Sequence, residues 1–249
     1  MGDKKKSNKW VYRIVIGILC IIICVCLYKI GTIVYGYYQG TKAYKEVQEI
    51  AGAETGAGNI DFDALLKENQ DTKAWLYSKD TVINYPVVQA ADNDFYLYRL
   101  FNKEWQVKGS LFIDYRVENP FEDFVTTIYG HRMKDKSMFW CLGDYRDEEY
   151  YKKHKKMEVL TPEKNYDMEI FSVVTAPADS DLYKFSFYDD NEKQQYINTV
   201  KELNETEMDD IDVSPSDSIV MLSTCTYEFE DARILVFGKL VEKKESKKK

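Results

Sequence analysis

A mostly-β domain closed into a barrel or sandwich, carried behind one membrane-spanning helix, is the fold class this sequence predicts. Residues 14–28 form an apolar run without a charge. Seven short runs rich in Val, Ile, Phe and Tyr follow between residues 82 and 241, separated by polar turns. Two helical insertions interrupt them, residues 136–142 and 191–205. An apolar fraction of 45% in 249 residues is ample for a core, and 20 Tyr and 12 Phe argue against disorder. With 5 Pro and 12 Gly, collagen-like and low-complexity architectures are excluded.

The N-terminal run is the first element. Its fifteen residues rise about 22 Å as a helix, short of a hydrocarbon core about 30 Å thick. Trp10-Val11-Tyr12 before it and residues 30–38 after it extend the apolar stretch, and Arg13 and Lys29 can snorkel, so a span near residues 10–35 is feasible. Trp10, Tyr12, Tyr35, Tyr37 and Tyr38 stand where aromatic belts fall. A cleaved signal peptide fits poorly, because no small-x-small site follows the run; a buried core helix is the bland alternative. Lys4, Lys5, Lys6, Lys9 and Arg13 precede the span and favour an N-terminus inside the cell. The expectation is a cytoplasmic stretch over residues 1–9, an uncleaved signal anchor and its flank over 10–38, and everything after it outside.

Charge and cysteine usage agree. Residues 1–38 carry net +5 and residues 239–249 net +4, which leaves −17 on residues 39–238 of a chain at −8 overall. So acidic a body excludes nucleic acid as a partner, because phosphate binding needs a basic face. Cys20, Cys24 and Cys26 lie within the span, where thiols act as small apolar groups. Only Cys141 and Cys225 remain outside, and no CxxC pair is present.

Residues 39–72 read as juxtamembrane helices around a small-residue turn at 51–58, with Asn59 or Asp61 as a cap for the second. The strand candidates are residues 82–89, 110–115, 124–129, 157–160, 167–175, 218–226 and 233–241, within a β domain spanning 73–242. Tyr196, Ile197, Val200 and Leu203 give the longer inserted helix its apolar stripe, and residues 243–249 form a solvated basic tail.

Any Cys–His chemistry outside the membrane must draw on Cys141 or Cys225 with His131 or His154. His154 lies among lysines and reads as a surface residue; Cys141 follows Phe139-Trp140 and reads as a buried, inert thiol. His131 and Cys225 each end a strand, where side chains project into loop mouths on a rigid frame. Arg233 follows eight residues after Cys225, and a turn through residues 227–231 brings it back beside the thiol. A thiolate is a strong nucleophile, an imidazole can protonate a leaving amine, and a guanidinium can hold the oxyanion of a tetrahedral intermediate. Together they suit acyl transfer through a thioester. Two unremarkable residues and a structural arginine are the bland alternative.

Tyr129-Gly130-His131-Arg132-Met133 and Leu222-Ser223-Thr224-Cys225, with Arg233 on the next strand, resemble the active-site motifs of sortases. Tyr85-Pro86-Val87-Val88-Gln89, Asn93-Asp94-Phe95-Tyr96-Leu97, residues 109–116, Met138-Phe139 and residues 227–233 resemble class B sortases in particular. The resemblance runs from about residue 62 to residue 240. It implies a closed eight-stranded β-barrel with N-terminal helices and a helix between the sixth and seventh strands, where residues 191–205 fall. It also implies a membrane-anchored transpeptidase of Gram-positive bacteria that needs no cofactor and no metal for the chemical step. Such an enzyme cleaves a C-terminal sorting signal of a surface protein after Thr, then passes the acyl group to an amine of peptidoglycan precursor or, in pilus assembly, to a pilin lysine.

By that resemblance Cys225 is the nucleophile, His131 the general acid/base and Arg233 the oxyanion or substrate-positioning group. Asn93 and Leu97 line the substrate groove, with Ser223 and Thr224 beside the nucleophile. The chain departs from the family in Met221-Leu222, where Thr-Leu is common; Met221 is expected to point into the barrel. Thr226-Tyr227 precede Glu228, so no third triad member is assigned. The rival reading is a non-catalytic tethered barrel for adhesion or binding, with Cys141 and Cys225 in a disulfide. A papain-like protease is disfavoured by chain order, since His131 precedes Cys225, and a zinc site would need four scattered ligands to converge.

Overall fold

The apolar run becomes the first half of one helix, α1 (Lys9–Ala51), in a computed structural model that describes residues 9–54, 56 and 58–243. The remaining residues of the basic N-terminus and of the 243–249 tail lie outside the described residues. Residues 10–35 are exposed along their whole length, so this stretch is not a buried core helix. It is the one helix among the described residues long and apolar enough to cross a membrane. Residues 39–51 continue it without a break, and there Tyr44, Val47 and Ala51 bury against the β domain. A short second helix, α2 (Phe62–Glu68), starts at Asp61, whose carboxylate accepts from Ala64 N at 2.9 Å. Such a cap contributes about 1 kcal/mol.

Eight strands follow: β1 (Thr72–Tyr77), β2 (Asn84–Val88), β3 (Leu111–Ile113), β4 (Val125–Tyr129), β5 (Lys156–Leu160), β6 (Asn165–Pro177), β7 (Ile219–Cys225) and β8 (Ala232–Glu242). They close into a barrel in the order β1-β2-β3-β4-β7-β8-β6-β5. The β2–β3 and β4–β7 pairs are parallel and the others antiparallel. Closure leaves no unpaired edge among these strands. β1 is absent from the seven runs legible in the sequence. Lys73 and Ala74 dilute its strand signal, and pairing with β2 on one side and β5 on the other overrides that preference.

The late strands are buried on both faces. Val220, Leu222, Ile234 and Val236 join the barrel core, while Ile219, Met221, Leu235 and Phe237 face the other way. That outer layer is covered by the inserted helix α4 (Asp190–Glu202) through Tyr196, Ile197 and Val200. Met221 is therefore not in the barrel interior. The period of two that sends Val220 and Leu222 inward turns Met221 out beneath α4. A further short helix, α3 (Glu148–Lys153), precedes β5, and 3-10 helices occupy Tyr96–Tyr98 and Trp140–Arg146.

Candidate active site

Register brings the thiol and the imidazole to one end of the barrel. β4 and β7 run parallel with Tyr129 opposite Ser223. Gly130 N donates to Ser223 O at 3.1 Å, and Thr224 Oγ1 donates back to Gly130 O at 2.7 Å. His131 and Cys225, each two residues beyond that pair, emerge at the same level from neighbouring strands. On the other side of β7, Cys225 is paired directly with Arg233 of β8 across an antiparallel ladder. The turn expected over residues 227–231 does bring the arginine back beside the thiol, with Asp231 in the left-handed region at φ +57°.

These three residues line a groove of about 290 Å³ together with Asn93, Leu97, Ser223 and Thr224, so all seven residues singled out from the sequence share one cavity. Cys225 is half-buried and free, and Cys141 is a buried free thiol elsewhere, which removes the disulfide on which the adhesion reading rested. Arg233 donates from Nη1 to Ala232 O at 3.0 Å, and no carboxylate among the described residues pairs with it. A cation without an anion partner at the rim of a groove is available to an anionic ligand or transition state. His154, by contrast, lies against Tyr150 with ring centroids 4.3 Å apart and reaches only the Lys79 carbonyl.

His131 is held by one bond. Its Nε2 lies 2.6 Å from Leu97 O, and a carbonyl can only accept, so Nε2 carries the proton. Burial pushes the imidazole below its ordinary value, and the Leu97 carbonyl opposes this only in part. At neutral pH the ring is therefore neutral, with Nδ1 left as its proton acceptor. The acceptor carbonyl is itself tightly seated. Gly109, at φ +58°, passes so close beneath it that any Cβ would collide with Leu97 O. The Tyr98 ring, 5.6 Å from the imidazole, covers its other side.

Two groups escaped sequence reasoning. Tyr183 lines the groove and shares a 2.7 Å hydrogen bond with Ser223 Oγ, within electrostatic reach of both Cys225 and Arg233. Its ring stacks on Tyr129 at 6.1 Å. Asp114, fully buried, gathers Arg116 at 2.8 Å, Asn93 Nδ2 at 2.9 Å and Tyr129 Oη at 2.9 Å. Burial alone would raise its carboxyl, but those donors outweigh it and hold the group below the usual carboxylate range. Asn93 is thus locked by Asp114 and by Tyr115 N, which donates to its Oδ1 at 3.1 Å. Asp114 falls within the 109–116 motif but its hold on Asn93, 21 residues away, is not readable there, and nothing in the sequence ties Tyr183 to Ser223, 40 residues away. Glu228 is occupied elsewhere. Thr226 Oγ1 and the Arg146 guanidinium, 2.7 Å away, hold its carboxyl down at about 2.

The sortase domain family matches residues 79–241. Sortase B of Listeria monocytogenes is 38% identical over 181 residues, 72% of this chain and 73% of that protein. Among solved structures, sortase B from Bacillus anthracis in complex with AAEK1 superposes with a TM-score of 0.75 at 36% identity, covering 84% of this chain and 99% of that one. The Staphylococcus aureus sortase B–substrate complex does so with a TM-score of 0.75 at 29% identity, covering 83% and 98%. A half-buried thiol, a neutral imidazole and an unpaired guanidinium converging on one groove are the equipment of thioester acyl transfer. With barrel and sequence agreeing over most of the chain, the protein belongs to the class B sortases, cysteine transpeptidases built on this closed eight-stranded barrel.

Proposed function

We propose that this enzyme is tethered to the cell membrane by α1, with its N-terminus inside and its barrel outside, and that it cleaves the C-terminal sorting signal of surface proteins after a threonine. Residues 10–38 serve as anchor and flank, 39–72 as the juxtamembrane connection and 73–242 as the catalytic domain. Nδ1 of the neutral His131 ring takes the Cys225 thiol proton as the sulfur attacks the threonine carbonyl carbon. Arg233 offers its fork of donors to the oxygen that becomes negative, and His131 delivers a proton to the departing amine. The thioester left on Cys225 is then attacked by an amine of peptidoglycan precursor, whose excess proton returns to the imidazole. No other group need supply the chemical step.

The observation that carries this reading is the sharing of one groove by Cys225, His131 and the unpaired Arg233. Asn93, Leu97, Ser223 and Thr224 line the same groove as candidate contacts for the sorting signal. The S. aureus relative, solved with its substrate, supports a peptide ligand for this barrel. The test is a panel of pentapeptides varied on either side of the cleaved bond, assayed with wild type and Cys225→Ala. Cleavage after Thr with a trapped acyl-enzyme in wild type, and none with Cys225→Ala, is expected. Full turnover in that variant overturns the nucleophile assignment.

A further inference from the structure

The first residues at which α1 touches the rest of the chain lie just past its exposed apolar stretch. Gln106 Nε2 donates to Gly36 O, Lys108 Nζ to Thr41 Oγ1 at 2.9 Å, and Tyr44 Oη to Gly109 O at 2.5 Å. Gly40 makes the first contact possible, because a Cβ there would fall 2.5 Å from the Gln106 amide nitrogen. Residues 106–109 are thus clamped along α1 from Gly36 to Tyr44. Beside this clamp the chain presents apolar groups outward. Trp105 is 69% exposed, and Tyr98 and Val107 are 45% and 40% exposed. Trp105 is no frayed tip, since it is bridged to Arg99 and followed by buried Gln106.

The height of this patch follows from helix geometry. A hydrocarbon core entered at Trp10 is crossed in about 20 residues, or in about 25 if the helix is tilted, so it is left between residues 30 and 35. At 1.5 Å per residue, Gly36 then stands about 2–9 Å beyond that boundary, within the headgroup layer. An exposed indole bonded to that level meets the environment in which amphipathic rings are most stable.

We propose that the loop over residues 102–107 is a second membrane contact, in which Trp105, flanked by Val107 and Tyr98, enters the headgroup layer of the bilayer that α1 crosses. This rests on the reading of α1 as the anchor. One consequence is orientation. Gln106 N donates to Tyr98 O at 2.9 Å and the Tyr98 ring lies against His131, so the contact seats the His131 edge of the groove toward the bilayer. Lipid-tethered substrates then meet the site in two dimensions; soluble peptides gain nothing.

The test uses the full chain in phosphatidylcholine–phosphatidylglycerol nanodiscs, labelled with 5-fluorotryptophan. The 19F lines of Trp10 and Trp105 are assigned by Trp10→Phe and Trp105→Phe. A nitroxide on the lipid headgroup should broaden the Trp105 line as it broadens Trp10, and leave fully buried Trp75 sharp. Broadening of Trp105 only by a water-soluble gadolinium chelate, with Trp10 still broadened by lipid, overturns the proposal and points to a protein partner on this face. If Trp10 is not broadened either, the anchor reading fails and takes this one with it. As a functional arm, Trp105→Ser should lower turnover of a lipid-anchored sorting peptide about fivefold, while leaving a soluble peptide unchanged. Equal effects on both substrates also overturn it.

Discussion

Two sides of the groove are built by different means. On the β7–β8 side, Cys225 and Arg233 occupy paired positions of a continuous antiparallel ladder, and their spacing is set by backbone hydrogen bonds repeated along seven residues. On the facing side, His131 stands beyond the end of β4 and is oriented by one bond to Leu97 O, a carbonyl carried on a 3-10 turn. The turn is seated by Gly109, and Gly109 O is in turn held by Tyr44 of α1. A ladder distributes any local loss over many bonds. A chain of single contacts transmits it. The imidazole is therefore the member of the trio most exposed to distant perturbation, and α1 is one of the places from which it can be perturbed.

Removing the imidazole itself should have the largest effect on this contrast. His131→Gln is expected to lower kcat for peptide cleavage by about 10²–10⁴-fold, with little change in KM. Arg233→Lys, which keeps the charge and loses the fork of donors, should cost about 10²-fold in kcat while leaving thermal stability near wild type, because the ladder persists. A loss of stability as large as the loss of activity would show that the guanidinium supports the β7–β8 turn rather than the reaction. Gly109→Ala should reduce kcat about tenfold and destabilise the fold by at least 1 kcal/mol, because the added Cβ displaces Leu97 O and strains a left-handed residue. In the same variant the 15N shift of His131 Nε2 should move; an unchanged shift would break the link drawn between them. Tyr183→Phe is the smallest, a severalfold rise in KM from the lost bond to Ser223, read in steady-state kinetics.

Acidity acts on the imidazole side. Burial lowers the His131 value relative to the unfolded chain, so below about pH 6.5 the unfolded state binds more protons than the folded one. The stability linked to the neutral ring is complete above that pH and is lost as the pH falls through 6.5 toward the lowered folded value. Melting temperatures measured between pH 7 and pH 5 should therefore fall, and His131→Gln should flatten that slope. An equal slope in wild type and variant would mean that other groups govern it.

Much of this was legible one-dimensionally, and the exceptions share a cause. An uncharged run announces α1, short runs rich in Val, Ile, Phe and Tyr announce seven of eight strands, and helical spacing announces α4. Cys225, His131 and Arg233 stand out because they are rare chemical types at strand ends. β1 escaped because its pairing on both edges, not its composition, makes it a strand. Met221 lies on the face opposite to the one expected because the run Ile219–Leu222 is apolar throughout and shows no alternation from which inward and outward can be told; only the helix laid over β7 distinguishes them.

What the sequence alone determined, then, is a helix long and apolar enough to cross a membrane, the class of barrel, and the three residues proposed to react, since each depends on residue type and local period. The tertiary structure decided which nitrogen of His131 carries its proton, that Tyr183 and Asp114 shape the groove, and that exposed Trp105 stands beside a contact with Gly36 of α1. Those depend on contacts between positions tens of residues apart, and closing such loops is a property of the whole fold rather than of any segment.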